Sequence, residues 1–167
     1  KWELECVPVD VTDAFDGVAA IMHGLAATGG VRLALQPASP AIEVLADPVV
    51  LRQMLINLVG NAIKFTKPGG DVAMSAKRNG NVCDLTVADT GVGIAPGDLQ
   101  RVMQPFEQGD IARPRAAKDS GLGLALTKAF AELHGGRLTI ASRPGVGTAV
   151  TITLPIADPG RSQRPAA

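Results

Sequence analysis

Cysteine, histidine and aromatic side chains are all scarce in this 167-residue chain, and no net charge accumulates. The two cysteines, Cys6 and Cys83, lie far apart without the short spacing of a metal site. That pattern points to reduced thiols packed as small hydrophobes in a cytoplasmic protein. Sixteen basic residues balance sixteen acidic ones with no basic stripe, which argues against a nucleic-acid partner. No apolar run approaches the length of a membrane span and no signal peptide opens the chain, so no membrane contact by this domain is expected. Because the first residue is Lys1, the chain is expected to be a fragment of a longer protein, whose membrane attachment the sequence leaves open. Two phosphate motifs are also missing. G-x-x-x-x-G-K-[ST] does not occur, and neither glycine pair completes G-x-G-x-x-G, which sets aside P-loop and nicotinamide enzymes.

What the chain has in excess is glycine, 19 residues, on a background that is 46% hydrophobic and 19% charged. Such a composition belongs to one globular domain with a sizeable core. Residues 3–8 read as a short strand with Leu4, Cys6 and Pro8 alternating. Asp10 or Thr12 caps a helix running to about Ala27, which Gly29-Gly30 ends. Residues 32–36 and 43–46 alternate like a hairpin, with Pro37 and Pro40 in its connection. Asp47-Pro48 starts a second helix that reaches about Thr66. Residues 71–78 and 82–89 form a hairpin around Asn79-Gly80-Asn81. A third helix is expected over residues 121–134, and a last hairpin over 137–143 and 148–155. The resulting fold class is α+β: a two-layer sandwich, its mixed sheet covered by helices on one face. Residues 1–156 would form the domain, with a long, charged, proline-punctuated lid over about 95–120, and 157–167 would be a disordered tail.

Three segments carry the chemistry. On the second helix, Leu51, Met54, Leu55, Leu58, Val59 and Ala62 share one broad face, while Asn57, Asn61 and Lys64 form a separate stripe. Asparagine is a mediocre helix former, so the stripe is either a solvated face or a site. In the second case an amide oxygen is a hard ligand suited to Mg²⁺, and Lys64 is a point charge for phosphates. Asp89 follows Cys83, Leu85 and Val87 at strand parity, which turns its carboxylate toward the apolar interior. A buried carboxylate needs a donor, and the adenine exocyclic amine is one. Gly91 and Gly93 would let the backbone pass close to base and sugar, although a simple turn also favours these residues. Third, Gly121-Leu122-Gly123 opens a helix whose bare N–H groups attract phosphate; a hinge or tight helix packing is the plainer account. His23 and His134 have no partners at ligand spacing. His23 reads as a surface helix residue, and His134 as a favourable charge near a helix C-terminus.

In this order the segments resemble the ATP-binding domain of bacterial sensor histidine kinases. Residues 57–66, Asn-Leu-Val-Gly-Asn-Ala-Ile-Lys-Phe-Thr, are similar to that family's N box. Asp89-Thr90-Gly91-Val92-Gly93-Ile94 resembles its first glycine box, Pro105-Phe106-Glu107-Gln108 its phenylalanine box and Gly121-Leu122-Gly123-Leu124-Ala125-Leu126 its second glycine box. His134-Gly135-Gly136 and Gly145-Val146-Gly147-Thr148 fit the closing pattern, so that the resemblance spans residues 3–155. It implies the Bergerat ATP-binding fold, with ATP and Mg²⁺. Asn61 would hold the metal with Asn57 beside it, and Lys64 would contact phosphate. Phe65, Ile94 and Leu124 would wall the adenine, Asp89 would accept from its amine, and Thr148 would help through water. Arg113, Arg115 or Lys118 in the lid would neutralise charge developing during phosphoryl transfer.

Two departures qualify this. Asp119-Ser120 stands where the family usually has Gly-Thr, which stiffens a hinge and brings a negative charge toward the phosphates. No phospho-accepting histidine is present either, since His23 lacks a neighbouring acid. The acceptor is expected on an upstream dimerisation domain, with a response regulator as the further partner, so the fragment would not phosphorylate itself. Two alternatives stay open: a degenerate nucleotide-binding module without phosphotransfer, and another ATPase or serine kinase of the same superfamily.

Overall fold

A computed structural model describes residues 3–105 and 122–158 of the chain. In order these form β1 (Val7–Asp10), α1 (Val11–Thr28), β2 (Arg32–Gln36), β3 (Glu43–Ala46), α2 (Pro48–Phe65), β4 (Asp71–Asn79) and β5 (Val82–Asp89). Two 3₁₀ turns follow, Pro96–Asp98 and Arg101–Met103, and then α3 (Gly123–Leu133), β6 (Arg137–Arg143) and β7 (Gly147–Pro155).

Local chemistry accounts for the helices. The Asp10 carboxylate accepts from the Asp13 amide at 2.9 Å and caps α1. Val11, Phe15, Val18, Met22 and Ala26 then recur at helical spacing and are all buried. Asp47 caps α2 by accepting from Val49 and Val50, and Pro48 occupies the first turn, where no amide proton is needed. Val50, Leu51, Met54, Leu55, Leu58, Val59, Ala62 and Ile63 bury one side of that helix. Among the described residues no helix is long and apolar enough to cross a membrane.

Five strands make a mixed sheet in the order β2-β4-β5-β7-β6, and β1 and β3 pair antiparallel in a small second sheet. Val72, Met74, Cys83, Leu85, Val87, Ile152 and Leu154 alternate onto the sheet face that packs against α1 and α2. The expected two-layer α+β sandwich is therefore present, with the core between one sheet face and the helices.

Several local expectations need correction. Residues 32–36 and 43–46 do not form a hairpin. β2 pairs parallel with β4 (Arg32 opposite Asp71), and β3 pairs with β1 (Ala46 opposite Val7). Parallel neighbours need a crossover, which β3 and α2 supply. The first strand runs over Val7–Asp10, not residues 3–8, because its ladder to β3 starts only at Val7. Helix α3 begins at Gly123 and not at residue 121. Cys83 is buried, and desolvation pushes its thiol up to about 11, whereas Cys6 is exposed and lies outside the buried core. His134 stands at the end of α3 but is not an exposed side chain there. Its ring is buried, Nδ1 meets the Phe130 carbonyl at 2.6 Å, and Nε2 accepts the Asp47 amide proton at 3.1 Å. A carbonyl only accepts, so Nδ1 is the donor in this arrangement. His23 is exposed on α1, as expected. Ala157 donates to the Glu43 carbonyl, which ties the chain down one residue past the expected domain end. Residues 159–167 of the expected tail lie outside the described residues.

Because Leu55 is 0% exposed at the contact between α2 and the sheet, Leu55→Ala should cost about 2–5 kcal/mol of folding stability. The urea midpoint should fall with an unchanged slope; a midpoint within error of the parent would show that α2 is not packed as described.

Candidate functional site

Helix α2 carries Asn57, Asn61 and Lys64 along one stripe that flanks its buried face, with both asparagines half-buried and Lys64 exposed. Their amides differ in employment. The Asn57 oxygen accepts from Gln53 Nε2 at 2.9 Å, and its nitrogen contacts Thr127 Oγ1 at 3.5 Å. Half-buried Asn61 makes no side-chain hydrogen bond among the described residues, so its amide oxygen is open to a ligand. Lys64 lies over its neighbour's ring, Nζ 5.0 Å from the Phe65 centroid, and partial burial lowers its pKa from the ordinary lysine range. Phe65 itself is 41% exposed.

Strand parity in β5 places Asp89 where the sequence suggests, on the face of Cys83, Leu85 and Val87, half-buried at the strand end. Its Oδ1 accepts from the Gly91 amide at 2.8 Å and from the Thr148 amide at 3.3 Å. Among the described residues no group donates to Oδ2. Burial pushes the carboxyl pKa up, and the two amide donors oppose that shift. One oxygen is thus spent on holding the loop while the other remains an acceptor.

The loop after β5 is locked to both neighbours. Val92 donates to the Phe65 carbonyl at 3.2 Å, Gly145 donates to the Val92 carbonyl at 2.8 Å, and Ile94 donates to Ser142 Oγ at 2.7 Å. Here the role expected for the glycines changes. A Cβ on Gly91 would meet the Phe65 carbonyl, and one on Gly93, whose φ is +72°, would meet the Arg143 carbonyl. On the Cβ side of each glycine the space is filled by protein backbone, so both are required by the packing of the loop.

Helix α3 lies against the middle of α2. Leu122 stands at its N-cap without a side-chain cap bond, which leaves first-turn N–H groups unsatisfied by a cap. An added Cβ on Gly123 would reach Asn57 only at ordinary contact distance. Leu124 packs against the core. Two participants were missed in the sequence. Buried Thr127 donates to the Gly123 carbonyl at 2.7 Å and meets Asn57. Ser142 bonds to Ile94, Gly147 and Thr148. Register could have shown the second, since Ser142 and Thr148 face each other across the hairpin turn. Phe106, Arg113, Arg115, Lys118, Asp119, Ser120 and Gly121 lie outside the described residues.

The structure thus joins the end of α2, the loop after β5, the β6–β7 turn and, through Asn57, the start of α3. Its donor set suits a purine nucleotide: an acceptor for an exocyclic amine, uncapped helical N–H groups for phosphate, and an amide oxygen on the helix between. For a metal, no group of three His, Cys, Asp or Glu is present among the described residues. A neutral amide oxygen fits Mg²⁺, which keeps most of its waters and shares phosphate oxygens, better than it fits zinc.

Residues 46–158 match the family described as histidine kinase-, DNA gyrase B- and HSP90-like ATPases. The chain is 42% identical to the histidine protein kinase DivJ of Caulobacter vibrioides, over 93% of the chain and 26% of that protein. It is also 42% identical to a sensor-like histidine kinase of Rhizobium meliloti, over 98% of the chain and 31% of that protein. Among solved structures, full-length ShkA in complex with AMPPNP superimposes with a TM-score of 0.83 at 34% identity, covering 93% of this chain and 32% of ShkA. The chain belongs to this family, is similar to the ATP-binding domains of sensor histidine kinases, and spans about a third or less of the length of the three proteins named.

Burial of the Asp89 carboxylate sets a pH dependence. Its folded pKa is raised, so the ionised form costs stability above that raised value, and the cost disappears as pH falls below the ordinary carboxylate range, about 4. Without nucleotide, Asp89→Asn should melt above the parent at pH 8, the gap closing toward pH 4. A parent that melts higher than the variant at pH 8 would contradict this.

Proposed function

We propose that this chain is the catalytic part of a longer cytoplasmic-facing sensor kinase. It would donate the γ-phosphoryl of ATP to a histidine on an upstream dimerisation domain, with a response regulator as the next acceptor. The observation that carries the reading is the half-buried Asp89 carboxylate, fixed by two backbone amides and still able to accept at Oδ2.

In this reading Asp89 accepts from the adenine amine, which a guanine would not supply at that position. Thr148 assists through water, and Phe65, Ile94 and Leu124 border the base. Leu122 and Gly123 would offer backbone N–H groups to the phosphates at the start of α3, and Gly121, outside the described residues, would join them. Asn61 would hold Mg²⁺ through its amide oxygen, with Asn57 beside it, and Lys64 would lie against the phosphates. When bound, the ion screens charge between the phosphate oxygens. Arg113 and Arg115, with Lys118, would do the same from the lid. Asn57 also steadies the site by its contact with Thr127 on α3. Catalysis of this kind is positioning and electrostatics, and the accepting histidine would come from the upstream domain.

Calorimetric titration with ATP, with and without Mg²⁺, tests the reading. Asn61→Ala should lose the metal-dependent part of the affinity, and Asp89→Ala should lose about tenfold or more overall, since a bond to a charged acceptor disappears. Unchanged binding in both would remove the pocket assignment. When the domain is joined to its natural upstream helices, radiolabelled γ-phosphate should appear on histidine; label on a partner's serine, or free phosphate alone, would point to another branch of the superfamily.

A further inference from the structure

Asp89, Thr148 and Ser142 form a single cross-strand row. Asp89 is the register partner of Thr148 on β7, and Thr148 is the register partner of Ser142 on β6, so the three side chains stand on the same face of the sheet. Half-buried Ser142 sits at the end of this row with three partners. Its Oγ receives the Ile94 N–H at 2.7 Å, lies 3.0 Å from the Gly147 carbonyl and 2.7 Å from Thr148 Oγ1.

A hydroxyl has one proton and two lone pairs. Ile94 N–H can only donate and the Gly147 carbonyl can only accept. All three contacts are hydrogen bonds in one arrangement alone: Ser142 gives its proton to Gly147, and Thr148 gives its proton to Ser142. Thr148 Oγ1 then has no proton left for anything beyond Ser142. Beside it, Asp89 shows a carboxylate oxygen, also an acceptor.

We propose that Ser142 is a positioning residue for base selectivity: it fixes the Thr148 hydroxyl as an acceptor, so that Asp89 and Thr148 together meet the base with lone pairs only. This rests on the ATP reading above. An amine at C6 of a purine, or a water donating on its behalf, satisfies that pair. A carbonyl at C6, as in hypoxanthine or guanine, faces lone pairs with no donor. Without Ser142 the Thr148 hydroxyl rotates freely and can donate to such a carbonyl.

The test is titration of this chain with ADP and with inosine diphosphate, which differs in carrying O6 for the amine and a proton on N1. Ser142→Ala should lower the ADP-over-inosine preference about tenfold, the scale of one hydrogen bond gained and one repulsion relieved. Ser142→Thr, which keeps the hydroxyl, should retain the preference. Thr148→Val removes the same acceptor without touching Ile94 and should lose preference as Ser142→Ala does. Thermal melting of each variant confirms that a folded domain is being titrated. If Ser142→Ala weakens both nucleotides equally, or keeps the full preference, the assignment is overturned while the ATP reading stands. A parent chain that binds neither nucleotide overturns both.

Discussion

Strand parity in β5 is the constraint on which the site depends. Cys83, Leu85 and Val87 are 0–2% exposed, and two-residue periodicity carries their direction through to Asp89. A register slip of one residue would expose three core side chains and send the carboxylate to the outer face. The apolar residues thus hold a charged group in a place it would not choose. Desolvation disfavours the ionised form there, and the amides of Gly91 and Thr148 offset part of the penalty. In the proposed reading, a ligand that donates to the second oxygen would relieve what remains unfavourable in the bare domain.

Helix α2 transmits that order to the other half of the site. Eight buried residues fasten one side of it, and both of its ends are tied from elsewhere. At the N-terminus Asp47 caps the helix by side chain while giving its own amide proton to His134 from the end of α3. At the C-terminus the Phe65 carbonyl receives Val92 from the loop after β5. A stripe of two asparagines and a lysine on such a helix is held by secondary structure and not by loop conformation, which favours precise geometry.

The sequence made the helices and the layer architecture legible because their signals are local. Asp10 and Asp47 are caps, and the apolar spacing after each is helical over five turns. Asp89 was legible for the same reason, since alternation along one strand suffices to orient it. What was not legible is pairing between remote segments. β2 and β3 alternate well, yet nothing in their own residues says that β2 joins β4 and β3 joins β1. His134 looked like a helix-end charge because its partner, the Asp47 amide, lies 87 residues away. Gly91 and Gly93 carried a real signal of crowding, but sequence could not say whether the crowding atom belonged to a ligand or to the chain; it belongs to the carbonyls of Phe65 and Arg143. Ser142 gave no signal of composition or spacing at all, and only the register of β6 against β7 exposes it.

The parallel pairing of β2 with β4 has a consequence of its own. Between those strands the chain runs out through β3 and back along α2, so the helix that carries Asn57, Asn61 and Lys64 is itself the crossover that lets the sheet's edge close. Residues 32 and 71 meet only after that excursion, a long loop closure compared with the tight hairpins of β4–β5 and β6–β7. The candidate binding surface and the longest of these loop closures therefore share one segment. The stripe of Asn57, Asn61 and Lys64 thus stands on a segment whose placement depends on contacts between strands far apart in the chain, not on a local turn.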